Sequence, residues 1–231
     1  MASLLGDERL EALIDGLQAR SLAQEADTRG YFQKQADGGR KDWSMSADDH
    51  AHYADKLVAL EPAKAEFCYG LCRALGARRI VELGTSFGVS TLYLATAVRD
   101  NCQGDSGSGV VIGTEHEPAK AAAARANFAA AGLERWIELR EGDLRETLKT
   151  LAGPIDFVLF DIWTPMVRPA LQLIAPHLRL GAVLCADNTA ATPWSRDAYG
   201  DYFAYIADPA NGLRTMTLPF EGGFEFTVKV S

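Results

Sequence analysis

From Arg79 onward, short apolar runs alternate with stretches of helical composition, and this alternation constrains the fold more than any other feature of the sequence. The apolar runs are residues 80–83, 110–112, 136–139, 155–160, 183–186, 213–218 and 224–230. Helix candidates lie between them, near residues 88–99, 118–131, 143–151, 166–178 and 195–207. Strand and helix repeated in this order imply crossover connections and therefore a largely parallel sheet.

The last two apolar runs are connected differently from the others. Only residues 219–223 separate them, which is too short for a helical crossover. Such a connection predicts an antiparallel hairpin. The predicted fold is therefore an α/β, Rossmann-like, doubly wound sheet of seven strands that ends in an antiparallel hairpin.

The N-terminal part of the chain has helical rather than strand periodicity. Leu10, Leu13, Ile14 and Leu17 lie on one stripe of a helix predicted over 7–28. Residues 30–46 show no period and predict a loop or lid. Ser46 is a plausible helix start, with one helix running from there to about 60 and a third over 62–75. We therefore divide the chain into an N-terminal helix-and-loop cover, 1–46, and a main domain, 47–231.

Charge and hydropathy exclude several classes of partner. The net charge is −8, and no cluster of Lys and Arg appears that could neutralise phosphates. We therefore expect neither nucleic acid nor an anionic membrane surface as a partner. No apolar run approaches the roughly 20 residues of a membrane-spanning helix. The first residues carry acids where a secretory signal carries basic residues, so we expect a cytoplasmic location.

Cysteine and histidine give little functional signal. Cys68, Cys72, Cys102 and Cys185 lack the paired spacing of a zinc finger and are interpreted as buried, reduced thiols. His50 and His52 are two apart and would point to different faces of a helix. We interpret both as surface residues rather than as a metal site.

The segment 81–91, VELGTSFGVST, is the strongest local motif. An apolar strand ends in an acid and a glycine, and a helix begins a few residues later. Ligands of open α/β sheets sit beyond the carboxyl ends of strands. Gly84 would let the backbone approach a ligand, Gly88 would permit tight packing at the helix start, and Ser86 and Ser90 would offer donors to a carboxylate. The alternative is an ordinary βα turn that binds nothing.

The same motif separates two kinds of nucleoside ligand. The dinucleotide fingerprint needs a glycine where this chain has Ser86, followed by Phe87. An acid at Glu82 suits a cationic ligand better than a pyrophosphate. S-adenosylmethionine carries a sulfonium, an ammonium and one carboxylate, so the motif favours this methyl donor over NAD.

Acids also follow the second and third apolar runs. Glu115 is placed to take the two ribose hydroxyls of a nucleoside in a bidentate hydrogen bond. Glu117 precedes a proline and is expected to charge the first turn of the next helix. Asp143 could accept a hydrogen bond from an adenine amino group, and a helix N-cap is the competing use.

The fourth and fifth runs both end in acids. Asp161 and Asp187 would converge on one ion if their strands are neighbours, about 4.8 Å apart. Two carboxylates with neutral oxygens suit Mg²⁺, and the side-chain oxygen of Asn188 would be a third ligand. Taken alone, the two acids could equally be helix caps or loop anchors.

Together these segments resemble the cation-dependent small-molecule O-methyltransferases, the family of catechol and caffeoyl-coenzyme A O-methyltransferases. VELGTSFGVST is similar to the family's donor-binding turn, GTEHEP to its ribose segment, LFDIW and ADN to its two metal segments, and Ala63-Lys64 to a helix that covers the donor. The resemblance covers about residues 47–230 and implies the fold, the donor and a divalent metal such as Mg²⁺. It carries the metal ligands over to Asp161, Asp187 and Asn188, and the donor contacts to Gly84, Ser86, Ser90, Glu115 and Asp161.

One position departs from the family's pattern. Where catechol-type members have a lysine that serves as general base, this chain has Thr164. Either the metal alone lowers the pKa of the acceptor hydroxyl, or another group such as Glu221 is the base. Trp163 and Trp43 could line the binding site of a flat aromatic acceptor, or could pack against other side chains without contacting a ligand. The expected partner is a small-molecule acceptor, and a homodimer is one option for the assembly.

Overall fold

The strands of the computed structural model, which describes residues 4–41, 46–103, 108–190 and 198–231, form one sheet of seven. They are β1 (Arg79–Leu83), β2 (Val110–Glu115), β3 (Ile137–Glu141), β4 (Ile155–Phe160), β5 (Leu178–Asp187), β6 (Leu213–Leu218) and β7 (Phe224–Lys229). Their order is β3-β2-β1-β4-β5-β7-β6. Neighbours among β1 to β5 pair parallel, and β7 pairs antiparallel with β5 and β6. The predicted fold is confirmed.

Eight α-helices accompany the sheet in the described part of the chain. They are α1 (Glu8–Asp37), α2 (Ala47–Tyr53), α3 (Pro62–Ala74), α4 (Val89–Asn101), α5 (Pro118–Ala131), α6 (Leu144–Thr147), α7 (Thr164–Ile174) and α8 (Gly200–Ala207). The helix predicted over 195–207 begins partly outside the described residues. Across the described ranges, none of the helices has both the length and the apolar character needed to cross a membrane.

The strand order reverses at β1, and this reversal locates the ligand crevice. The chain winds from β1 to β3 on one side and continues from β4 to β5 on the other. Ligands of doubly wound folds bind outside the carboxyl ends of the strands at such a reversal. The turns after β1, β2, β4 and β5 all lie at that edge, so the candidate motifs share it.

Alternating side chains of the central strands fill two hydrophobic clusters, one on each face of the sheet. Ile80 and Phe157 belong to one cluster, and Val81 and Val158 belong to the other. This two-sided burial explains why these strands are continuous apolar runs rather than alternating ones. All four cysteines are buried and free, as expected.

The prediction of a loop over 30–46 is wrong for its first part. Helix α1 continues through Gly30 to Asp37. There Tyr31 stacks on His52 of α2, with 3.8 Å between ring centroids, and its hydroxyl donates to Asp49 at 2.9 Å. These contacts with α2 hold the polar end of α1, so His52 is half-buried rather than a free surface residue. Trp43 lies outside the described residues.

Helix α2 ends at Tyr53, although the sequence predicts a helix to about residue 60. Side chains of α1 satisfy the backbone of the following segment. The amides of Leu57 and Ala59 donate to Gln24 and Ser21 at 2.8 and 3.1 Å, and Gln18 donates to the carbonyl of Leu60 at 2.9 Å. Residues 56–61 can therefore stay outside a helix while these three backbone groups keep hydrogen-bond partners.

Candidate functional site

Two glycines with positive φ shape the turn between β1 and α4. A Cβ on Gly84, at φ 93°, would overlap the carbonyl oxygen of Asp161. The sequence predicts that this glycine makes room for a ligand. In the structure, the missing side chain makes room for the backbone of Asp161, just after β4. A Cβ on Gly88, at φ 87°, would overlap the Phe128 ring, as its predicted packing role requires. The turn therefore lies directly against the strand that carries Asp161.

Glu82 lies beneath this turn and is fully buried. Its Oε2 accepts hydrogen bonds from the hydroxyls of Thr85, at 2.9 Å, and Thr91. Burial raises the pKa of Glu82, although hydroxyl donors, Ser90 among them, act to lower it. Its Oε1 and the Oγ of Ser86 are buried without a hydrogen-bond partner among the described residues. An acidic oxygen without a partner beneath the turn fits the ammonium of S-adenosylmethionine, and an unpaired hydroxyl before the helix fits its carboxylate.

Glu115 at the end of β2 faces the same turn. Its two carboxylate oxygens accept the backbone N–H groups of Ser86, at 2.7 Å, and Glu117, at 2.8 Å. Each oxygen keeps a further lone pair for another donor. The structure therefore brings the predicted ribose acid and the predicted donor turn together.

Asp143 has the competing use that the sequence left open. Its side chain accepts from the backbone of Arg145 at 2.8 Å and caps α6. It also pairs with the guanidinium of Arg145, which lowers the pKa of Asp143 to about 2. The contact with adenine stays a prediction.

Asp161 and Asp187 adjoin at the ends of β4 and β5. Their predecessors Phe160 and Ala186 are paired in register. Burial, followed by the charge of Asp187, raises the pKa of Asp161 well above its usual range. In the described ranges, no hydrogen bond reaches the carboxylate of Asp161. The two acids therefore meet, as predicted, and their charges repel.

Lys64 is the main residue of this edge that the sequence did not identify as functional. It is 1% exposed, and its Nζ lies 2.5 Å from Oδ1 of Asp187 and 2.5 Å from a carboxylate oxygen of Glu61. Burial alone would lower the pKa of Lys64, but these carboxylates raise it, so the side chain stays charged. The Ala63-Lys64 pair at the start of α3 was noted in the sequence, but 123 residues separate Lys64 from its partner.

The donor set at this edge fits a divalent cation. Asn188, in the left-handed region at φ 56°, donates its amide N–H to Oδ2 of Asp187 at 3.0 Å, so its own side-chain oxygen remains a candidate ligand. Burial raises the pKa values of Asp161 and Asp187, and a bound cation would favour their charged forms. Two carboxylates and an amide oxygen are ligands suited to Mg²⁺.

The remaining predicted residues surround this edge. Trp163 packs edge-on against Tyr53 of α2, with 5.1 Å between ring centroids, so its packing role is observed. Thr164 begins α7. Glu221 is exposed in the β6–β7 turn, which bonds to the segment after Asn188 through the Ala190 amide and the Gly222 carbonyl at 2.8 Å. Glu221 therefore lies at the same edge, and its role as a base stays a prediction.

The sheet order, the glycine turn after β1 and the acid after β2 together define a class I S-adenosylmethionine-dependent methyltransferase fold. A family model described as "Methyltransferase domain" matches residues 81–189. Among curated proteins, the chain is 34% identical over 146 residues to a catechol O-methyltransferase of Mycobacterium tuberculosis and 31% identical over 135 residues to one of Niastella koreensis. These matches cover 63% and 57% of this chain and 62% and 58% of those proteins.

Solved structures agree with this assignment. An O-methyltransferase from Bacillus cereus in complex with SAH is 25% identical, with a TM-score of 0.62 over 74% of this chain and 82% of that one. Cofactor-bound Rv0187 from MTB, 23% identical, has the same fold, with a TM-score of 0.70 over 99% and 93% of the two chains. By sequence and by fold, the chain is therefore similar to class I S-adenosylmethionine-dependent O-methyltransferases. It spans about three-fifths of the length of the curated relatives it matches.

Proposed function

We propose that the protein transfers the methyl group of S-adenosylmethionine to a hydroxyl oxygen of a small, catechol-like aromatic acceptor, assisted by a divalent metal. The observation that carries the proposal is the contact between Gly84 and Asp161, which joins the donor turn to the acidic edge. Methyl transfer needs the acceptor oxygen in line with the donor methyl at about 3–3.5 Å. Two sites serve one transfer only if they adjoin in this way.

The donor side is supported by three groups with open hydrogen-bonding capacity: Glu82 Oε1, Ser86 Oγ and the carboxylate of Glu115. S-adenosylmethionine supplies an electrophilic methyl group on a positively charged sulfur. Buried Glu82 favours the separate positive charge of the donor's ammonium. Calorimetry with S-adenosylmethionine against NAD tests this half of the proposal. Equal or stronger binding of NAD would contradict it.

The acceptor side is supported by the acids and by Thr164. A metal held by Asp161, Asp187 and Asn188 would supply Lewis acidity toward a hydroxyl oxygen. A threonine hydroxyl cannot accept a proton near neutral pH, so an acceptor with an acidic hydroxyl is favoured over a simple alcohol. Both curated relatives named above are catechol O-methyltransferases.

A metal-independent transfer is a second candidate, and Lys64 is the observation that favours it. Its ammonium contacts Asp187, and a cation there could stabilise the acceptor oxygen once that oxygen has lost its proton. Turnover of a catechol panel with Mg²⁺, and again with a chelator, separates the two candidates. Loss of turnover in chelator supports the metal-dependent reaction. Turnover that is unchanged by chelator supports the reaction without metal.

Asp187→Asn sharpens this test because asparagine keeps an oxygen that can accept from Lys64. We expect the variant to fold and to lose metal-stimulated turnover. Asp156→Asn, near the start of β4 and at the opposite end of the strands from Asp187, is the matched control and should keep the stimulation. Metal stimulation that survives in Asp187→Asn would contradict the assignment of Asp187 as a ligand.

A further inference from the structure

A second cluster of ligand atoms lies outside the acidic edge and joins two distant parts of the chain. His50 is on α2, and His116 and Glu117 follow β2. One ligand atom from each of the three side chains lies within 4.8 Å of the others. His50 Nδ1 lies 3.2 Å from a carboxylate oxygen of Glu117, and the ring centroids of His50 and His116 are 5.5 Å apart.

We propose that His50, His116 and Glu117 bind Zn²⁺ or a similar nitrogen-preferring divalent ion, which clips α2 to the turn between β2 and α5. Two imidazoles and one carboxylate form a recognised zinc ligand set, with a fourth position left for water. This site differs in chemistry from the oxygen-only acidic edge, which suits Mg²⁺. It does not depend on the proposed function.

The distances are compatible with one ion. Zinc lies about 2.0–2.2 Å from nitrogen and oxygen ligands, so two ligands in a tetrahedral site are roughly 3.3 Å apart. His50 and Glu117 already have this separation. His116 is exposed, so its side chain can rotate to close the remaining gap.

Both halves of the clip are held in position by other contacts. On α2, Ser46 and Asp49 form a capping box, and Arg40 pairs with Asp49 at 2.5 Å. On the other side, the Glu117 amide donates to Glu115 at 2.8 Å. An ion at the clip would therefore connect the helical cover to the residue proposed to hold the donor ribose.

Zinc binding by the whole chain tests the proposal, and activity is not needed as a readout. Isothermal titration with Zn²⁺, in millimolar Mg²⁺ as a competitor for oxygen-only sites, should give one zinc per chain that is lost when this cluster is altered. His116→Ala and Glu117→Gln should each weaken this binding at least tenfold. His177→Ala, at the opposite edge of the sheet, is the matched control and should bind zinc normally.

Two further measurements separate a built site from a simple His–Glu contact. Zinc at about 100 times its dissociation constant should raise the Tm of the wild type by roughly 5–10 °C, and should not raise that of His116→Ala. Co²⁺ bound in place of zinc should show the visible absorption of a low-coordinate nitrogen and oxygen site. The proposal is overturned if no zinc binds, or if binding is the same in the wild type, His116→Ala and Glu117→Gln.

Discussion

Replacing Glu115 tests whether the acid after β2 holds the donor ribose. Its carboxylate is a charged acceptor, and losing such a partner costs about 1–3 kcal/mol. At about 1.4 kcal/mol per factor of ten, we expect Glu115→Ala to weaken the binding of S-adenosylmethionine roughly 5- to 150-fold. Calorimetric titration gives the dissociation constant directly.

The same substitution has a cost in stability that must be separated from binding. The amides of Ser86 and Glu117 both lose their acceptor. At about 0.5–1.5 kcal/mol per hydrogen bond and about 2–4 °C per kcal/mol for a chain of this size, the Tm should fall by roughly 2–12 °C. Titrations are therefore compared well below the lowered Tm.

Glu141→Gln is the matched control, because Glu141 pairs in register with Glu115 on β3 but is exposed and bonds to Arg125. Its donor affinity should stay within about twofold of the wild type. Glu115→Gln keeps the shape and loses the charge, so an intermediate loss is expected. Unchanged affinity in a folded Glu115→Ala would remove this residue from the ribose role. An equal loss in Glu141→Gln would show a general effect of charge.

Three other substitutions test the turn, the sheet and the acceptor side. Gly88→Ala should lower the free energy of unfolding by at least ~2 kcal/mol in urea titrations. The left-handed φ of Gly88 and the neighbouring Phe128 ring both oppose a Cβ there. An unchanged free energy of unfolding would contradict the packing role. Burial alone would raise the pKa of Asp156, but the Arg179 side chain and two backbone amides lower it overall. The charged carboxylate therefore stabilises the fold at pH values above its unfolded pKa of about 3.9. Asp156→Asn should therefore be less stable than the wild type at pH 7, with the difference shrinking as pH falls below about 4; a constant difference would contradict the linkage. Thr164→Lys should raise turnover of catechols by a factor of up to about 10²–10⁴ if a missing base limits the rate. If turnover does not rise although donor and metal are bound, the base lies elsewhere or the acceptor is not a catechol.

The strands and the sheet order could be predicted because their signal is local. Residues 155–160 are an uninterrupted apolar run, and the strand occupies the same residues. Residues 219–223, which link the last two apolar runs, are too few for a helical crossover, so a hairpin could be predicted there. Acids at strand ends were placed correctly for the same reason, since parallel strands bring their carboxyl ends to one edge.

The errors occurred where distant side chains decide the conformation. Nothing within residues 54–60 stops a helix. Instead, side chains of Gln24, Ser21 and Gln18 in α1 bond three of its backbone groups in a non-helical form. Likewise, α1 continues past Gly30 because α2 supplies partners there. The role of Lys64 was hidden because its partner follows 123 residues later.

The position of β7 between β5 and β6 has a consequence for the order in which the site is completed. Chains are synthesised from the N-terminus, and domains begin to fold as they emerge. β1 has both of its neighbours, β2 and β4, once β4 has been made. β5, which carries Asp187, has an unpaired edge until residues 224–229 arrive. A growing chain therefore completes the strands around β1, where we propose that the methyl donor binds, before it can assemble the edge that would receive the acceptor. During that interval the free edge of β5 is open to wrong pairing.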